Sequence, residues 1–147
     1  VSEDGQVLLR EGVEEYGISR EYVGQEVDRQ QQTLQNRRRA YTPGRDRIDP
    51  EERTVIVVDD GAATGSTIMA ALQTLRETGP ARLIVALGVA SKEAIDMLEG
   101  VADEVVCLEV PDTLYGISQA FQEFEQVTDG EVIQMLQSAR ENIASNE

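Results

Sequence analysis

The sequence predicts an α/β fold built on an open, mostly parallel sheet with flanking helices. Three observations carry this. Thr54-Val55-Ile56-Val57-Val58 is a continuous β-branched run without alternation, the pattern of a parallel strand covered on both faces. Behind it, Ile68, Ala71, Leu72 and Leu75 recur at helical spacing. Two further strand–helix alternations follow, and strand, helix, strand, helix, strand implies parallel pairing through right-handed crossovers.

The elements follow in order. Gln6-Val7-Leu8-Leu9-Arg10 reads as a short strand, with turns near Gly12 and Gly17. A helix is expected from about Arg20 to Arg39, with Ser19 as N-cap, Glu21 in its first turn and Arg37, Arg38 and Arg39 in its last. Ile18 can staple onto Val23. The apolar face of this helix is thin (Val23, Val27, Leu34, Tyr41), so it is expected to be half exposed or to pack on something outside the chain. Tyr41-Thr42-Pro43-Gly44 ends it. The helix bearing Ile68 to Leu75 stops at Gly79-Pro80. A second strand is Leu83 to Leu87, Ser91 caps a helix bearing Ala94, Ile95 and Leu98 that ends at Gly100, and a third strand is Glu104 to Leu108. Residues 111–127 lack a period and hold Tyr115, Phe121 and Phe124, which are expected mainly in the core, with stacking on a base as the alternative for Tyr115 or Phe121. Thr128-x-x-Glu131 is a capping box, and Val132, Ile133, Leu136 and Ala139 form the expected buried stripe of the last helix. Residues 1–147 read as one domain.

Composition narrows the function. The net charge is −15 and Lys92 is the only lysine. Such a surface repels nucleic acid and anionic membranes, so neither is expected as a partner. It reads as a well-solvated acidic surface or as adaptation to high salt. One cysteine, Cys107, cannot form an internal disulfide, so a reducing, cytoplasmic setting is expected, with Cys107 as a buried apolar thiol. The absence of histidine excludes Ser-His-Asp and Cys-His catalysis. No apolar run approaches the roughly 20 residues a membrane span needs.

The chemistry concentrates after the first buried run. Asp59 and Asp60 end it, and Gly61, Ala62, Ala63, Thr64, Gly65, Ser66 and Thr67 lead into a helix N-terminus. Small residues let backbone N–H groups approach an anion, the helix dipole favours it, and three hydroxyls add donors. Two carboxylates beside a phosphate suit vicinal hydroxyls and Mg2+, and together these describe a ribose 5-phosphate. Other loops fit less well. Only three residues separate Gly61 from Gly65 and Ser66 follows, so the loop is not a Walker A motif, and G-x-G-x-x-G is absent. A receiver domain would need an aspartate ending a later strand and a lysine ending the last, whereas Asp103 begins a strand and Lys92 opens a helix. A purely structural strand–turn–helix remains the bland alternative.

The run Val55 to Thr67 resembles the phosphoribosyl pyrophosphate (PRPP) motif of type I phosphoribosyltransferases: four apolar residues, two acids, and a small loop ending Thr-Gly-x-Thr. Ala102 to Leu108 and the Phe124-x-Gln126-Val127-x-Asp129 stretch resemble the stand-alone bacterial and archaeal branch of that family, so the likeness spans essentially the whole chain. It implies a Mg2+-dependent glycosyltransferase of nucleotide metabolism that moves phosphoribose from PRPP to a nitrogenous, nucleobase-like acceptor. It also implies that Asp59 and Asp60 bind the ribose hydroxyls, directly or through Mg2+, and that Ala63, Thr64, Gly65, Ser66 and Thr67 wrap the 5-phosphate. In the purine-salvage enzymes an aspartate often precedes Thr-Gly; here Ala63 stands there, which removes one candidate general base. Family domains begin with a strand and helix carrying a pyrophosphate loop that has no counterpart here. With Val1 in place of an initiator Met, this makes a trimmed N-terminus the expectation. The Asp59-Asp60 strand then becomes a sheet edge, and the chain alone is expected to bind weakly and to form a homodimer or belong to a longer parent. Arg37, Arg38, Arg39, Arg45 and Arg47 are read mainly as dipole compensation and solvation, with pyrophosphate contact as the alternative. A non-catalytic module that senses ribose phosphate is the rival function.

Overall fold

A computed structural model describes residues 18–144. The expected strand at Gln6 to Arg10 lies outside the described residues. Within them, α1 (Arg20–Tyr41) precedes three strands, β1 (Thr54–Ala62), β2 (Arg82–Ala90) and β3 (Glu104–Glu109). The crossovers are α2 (Ser66–Glu77) and α3 (Lys92–Glu99), and a 3-10 turn (Ile117–Ala120) and α4 (Asp129–Ala144) complete the order. The sheet is β1-β2-β3, wholly parallel, with Val57 opposite Val85 and Val85 opposite Val105. The α/β class and the open parallel sheet are thus as the sequence predicts.

The strand order never reverses, and this decides where the core sits. Two right-handed crossovers advancing in one direction place both helices on one face of the sheet. Ile68, Met69 and Leu72 of α2 and Ala94 and Leu98 of α3 therefore bury Leu83, Val85 and Leu87 of β2 in one aliphatic core. Val55 and Val57 pack against it from β1, and Val105 and Cys107 from β3. Among the described residues the opposite face is open. Ile56 is 57% exposed, Val58 74% and Leu108 85%, and Val106 joins them. The expectation of a strand covered on both faces is therefore corrected for Thr54 to Val58: the lack of alternation marks apolar side chains on both faces, and the described residues cover only one of them. The expected edge position of this strand holds among the described residues.

Caps hold as expected. Ser19 Oγ accepts from Tyr22 N (3.1 Å) at the start of α1. Thr128 and Glu131 form the reciprocal box, with Glu131 accepting from Thr128 N at 2.8 Å. That bond and the Thr128 hydroxyl hold the Glu131 carboxyl below its ordinary pKa. No residue of α1 is buried. It lies against α4, where Tyr41 donates to Asp129 Oδ1 at 2.6 Å and Arg140 donates to Tyr41 O at 2.9 Å. Arg37 lies 4.0 Å from Asp129, so this member of the arginine cluster faces a carboxylate. Asp103 ties the far end of the sheet, its carboxylate accepting from Arg76 at 3.1 Å and Leu83 N at 2.6 Å. The Arg76 guanidinium, then the Leu83 amide, hold its pKa down.

Two expectations about packing fail. Ala139 is exposed while Val132, Ile133 and Leu136 are half-buried, because α4 meets α1 rather than the sheet core. Tyr115 is 85% exposed, and Phe121 and Phe124 pack on each other at 5.3 Å rather than in the core. With one sheet face already filled by aliphatics, the aromatics lie outside it. Cys107 is half-buried and its thiol donates to Glu109 O at 3.2 Å. No helix among the described residues is long and apolar enough to cross a membrane.

Candidate functional site

The acid pair and the loop lie beyond the carboxyl end of β1, the side on which open parallel sheets place ligands. The strand runs further than its apolar run suggests, through Asp59, Asp60, Gly61 and Ala62, before the chain turns. Asp59 and Asp60 are exposed, and Asp59 Oδ1 accepts from Asp60 N at 2.9 Å. Partial burial of the Asp59 carboxyl pushes its pKa above the ordinary value, and the neighbouring Asp60 charge adds to this against the opposing amide bond. A carboxylate so placed gains from a cation or from hydroxyl donors.

The turn is set by Gly65, whose φ of +68° lies in the left-handed region. Gly65 is also the N-cap of α2 and offers no side chain to its first amides. Ala63, Thr64 and Thr67 are exposed, and Ser66 is half-buried with its Oγ 3.3 Å from Thr64 Oγ1. Small exposed residues and hydroxyls thus surround an uncapped helix N-terminus next to two carboxylates. All nine candidate residues, 59–67, fall in this one strand–turn–helix connection.

Gly61 and Ala62 behave differently. Both are buried, and a Cβ on Gly61 would lie 2.7 Å from Val89 O and 2.9 Å from Ile117 Cγ2. Sequence reasoning assigns Gly61 to close approach of an anion; here the close approach is by β2 and the 3-10 turn. Gly61→Ala is accordingly expected to cost about 1–3 kcal/mol through overpacking against a backbone carbonyl. Gly24→Ala, with no atom within 4 Å, is expected to gain about 0.5–1 kcal/mol. Urea midpoints of the two variants check both signs.

Sequence reasoning reads Ser91 only as a helix cap. The cap is present, Ala94 N donating to Ser91 Oγ at 3.0 Å, but the same hydroxyl also donates to Ala63 O at 2.9 Å. Nothing in the spacing signals this bond, because it joins two loops that only the β1–β2 pairing brings together. Phe121 also approaches the site, lying 2.9 Å from where a Cβ on Gly88 would stand, next to Asp60 O.

Among the described residues no cluster of three or more metal-binding side chains occurs. Two carboxylates are too few to cage an octahedral ion, but they suit one that arrives with phosphate oxygens and water.

A family model for the phosphoribosyl transferase domain matches residues 6–123. A "Putative phosphoribosyl transferase" of Mycobacterium tuberculosis is 33% identical over 146 residues, in both strain CDC 1551 / Oshkosh and strain ATCC 25618 / H37Rv. The match covers 98% of this chain and 33% of that protein, so the chain spans about a third of the length of these curated relatives. The crystal structure of a Thermus thermophilus protein superposes with a TM-score of 0.72 at 36% identity, covering 92% of this chain and 64% of that one. With the acid pair, the loop and the parallel sheet, these matches place the chain in the phosphoribosyl transferase domain family.

Proposed function

We propose that this chain carries the ribose-phosphate half of a phosphoribosyltransferase site whose substrate is PRPP. The observation that carries the reading is the juxtaposition of Asp59 and Asp60 with the turn of Ala63 to Thr67, in which Ala63, Thr64 and Thr67 are exposed, at an uncapped helix N-terminus. The turn and the first amides of α2 receive the 5-phosphate, and the carboxylates receive the ribose 2′ and 3′ hydroxyls. Asp59 and Asp60 are the carboxylates that would hold Mg2+, which when bound would balance the charge of the pyrophosphate. In the reaction the bond from ribose C1 to the pyrophosphate oxygen breaks, a bond from C1 to an acceptor nitrogen forms, and that nitrogen loses a proton. The carboxylates stabilise positive charge that develops on the ribose, and the turn fixes the sugar for displacement. No protein nucleophile is required, in keeping with a chain that lacks histidine.

A second reading rests on Ala63, exposed at the position where an acid would assist the base: a module that binds ribose phosphate without turnover. Pyrophosphate release from PRPP and Mg2+ with a panel of nucleobases separates the two. Calorimetric binding without release supports the module, release supports the enzyme, and neither binding nor release refutes both.

We further propose that residues 1–147 act as one unit in a cytoplasmic setting and that the chain associates as a homodimer through its open sheet face. Among the described residues, Ile56, Val58, Val106 and Leu108 form an exposed apolar surface beside a strand edge that no described strand pairs, a combination that favours association. A dimer is expected in sedimentation equilibrium, and Val58→Lys with Leu108→Lys is expected to return a monomer. A wild-type monomer at tens of micromolar refutes the dimer.

A further inference from the structure

We infer that Ser91, outside the motif, is a positioning residue that aims the backbone of the phosphate turn. This rests on the ribose-phosphate reading of that turn. Ser91 reaches it twice: its N–H donates to Ala62 O at 3.0 Å and its hydroxyl donates to Ala63 O at 2.9 Å. The hydroxyl works in both directions, its proton committed to Ala63 O while its oxygen accepts from Ala94 N at 3.0 Å. One side chain therefore closes α3 and holds the turn of the preceding unit.

The consequence follows from peptide geometry. No peptide bond among the described residues is cis. In a planar trans unit the C=O and the following N–H point in opposite directions. With the carbonyls of Ala62 and Ala63 drawn toward Ser91, the N–H groups of Ala63 and Thr64 are turned away from α3, toward the exposed side of the turn. A phosphate in the turn needs donors on that side. Gly65, next in the chain, is backed by Ala94, whose Cβ would lie 3.4 Å from a Cβ there, so α3 supports the turn from below as well. Ala63 and Thr64 themselves are exposed and have little packing to fix them, so the Ser91 hydroxyl is the tether that sets the direction of their amides.

The variants Ser91→Gly, Ser91→Ala and Ser91→Thr separate this role from capping. Glycine caps a helix almost as well as serine but has no hydroxyl, so Ser91→Gly keeps α3 with little loss of thermal stability. Threonine retains both bonds. The first readout needs no ligand: backbone 15N order parameters at Ala63 and Thr64 are expected to fall in Ser91→Gly and Ser91→Ala, toward the flexible range below about 0.6, and to recover in Ser91→Thr. The second is affinity for ribose 5-phosphate, expected to weaken about fivefold in the Gly and Ala variants, the factor that one typical net hydrogen bond commands, and to recover with threonine. Unchanged order parameters overturn the inference, as does fallen order with unchanged affinity. If the wild type binds no ribose 5-phosphate, the reading of the turn as a phosphate site fails, and the order parameters alone still decide whether Ser91 fixes the turn.

Discussion

Replacing Asp59 and Asp60 together by asparagine is expected to remove the stabilisation of this chain by PRPP and Mg2+ without weakening the fold. A ligand that binds only the folded state contributes about 2.7 kcal/mol at a hundredfold excess over Kd. For a chain of this size each kcal/mol moves Tm by roughly 2–4 °C, so the wild type is expected to gain ~5–10 °C and the variant nothing. The stability of the free protein should move the other way. Partial burial and the adjacent Asp60 charge raise the pKa of Asp59 above its unfolded value. The folded state therefore holds more proton than the unfolded state between the two values, and stability falls as pH rises through that window. At neutral pH this penalty is present in full, and neutral asparagine relieves it. Without ligand, the variant is expected to melt no lower than the wild type, and its stability should lack the Asp59 loss above the ordinary carboxylate range. A pH series of thermal melts with and without PRPP measures both. A ligand shift that survives in the variant removes the acid pair from the proposed site.

The second large effect lies in the core. Leu72 is fully buried in α2, against the Leu83, Val85 and Leu87 row. Leu72→Ala keeps helix propensity and deletes core volume, at an expected cost of about 2–5 kcal/mol. Native proteins have only about 5–15 kcal/mol in all, so this loss removes a large share of the stability and the variant is expected to unfold at a clearly lower urea concentration than the wild type. Ile56→Ala is the control. Ile56 belongs to the same apolar run as Val55 and Val57 but is 57% exposed in the single chain, so its truncation is expected to cost less than about 1 kcal/mol in the dilute monomer and more at concentrations where the proposed homodimer covers it. Urea midpoints with matched slopes check the contrast. A large loss at Ile56 means that the open face is covered in solution, as the proposed homodimer requires.

These two variants mark how far the sequence can be read. The strands and helices were legible because each carries its own signal. Leu72 and Leu75 sit at helical spacing, Thr128 and Glu131 cap reciprocally, and Gly79-Pro80 terminates a helix. The acid pair and the turn were legible for the same reason: residues 59–67 are contiguous, so composition alone brings them together. What failed to read is non-local. Val58 and Val57 look alike in the chain, and Tyr115 and Ala139 look like core residues. The exposure of Val58 depends on which face α2 and α3 cover, which strand order fixes, and that of Tyr115 and Ala139 on where the chain after β3 packs.

The sequence by itself determined the α/β class, the parallel pairing and the place of the acid pair and the small-residue turn behind it, because local periodicity, capping and contiguous small residues express these within a few turns of chain. Only the tertiary structure decided that both crossover helices lie on one face, that Gly61 yields its space to Val89, and that Ser91 reaches Ala63 across 28 positions. Those are contacts between segments distant in the chain, created when β1 and β2 pair, and no local signal carries them.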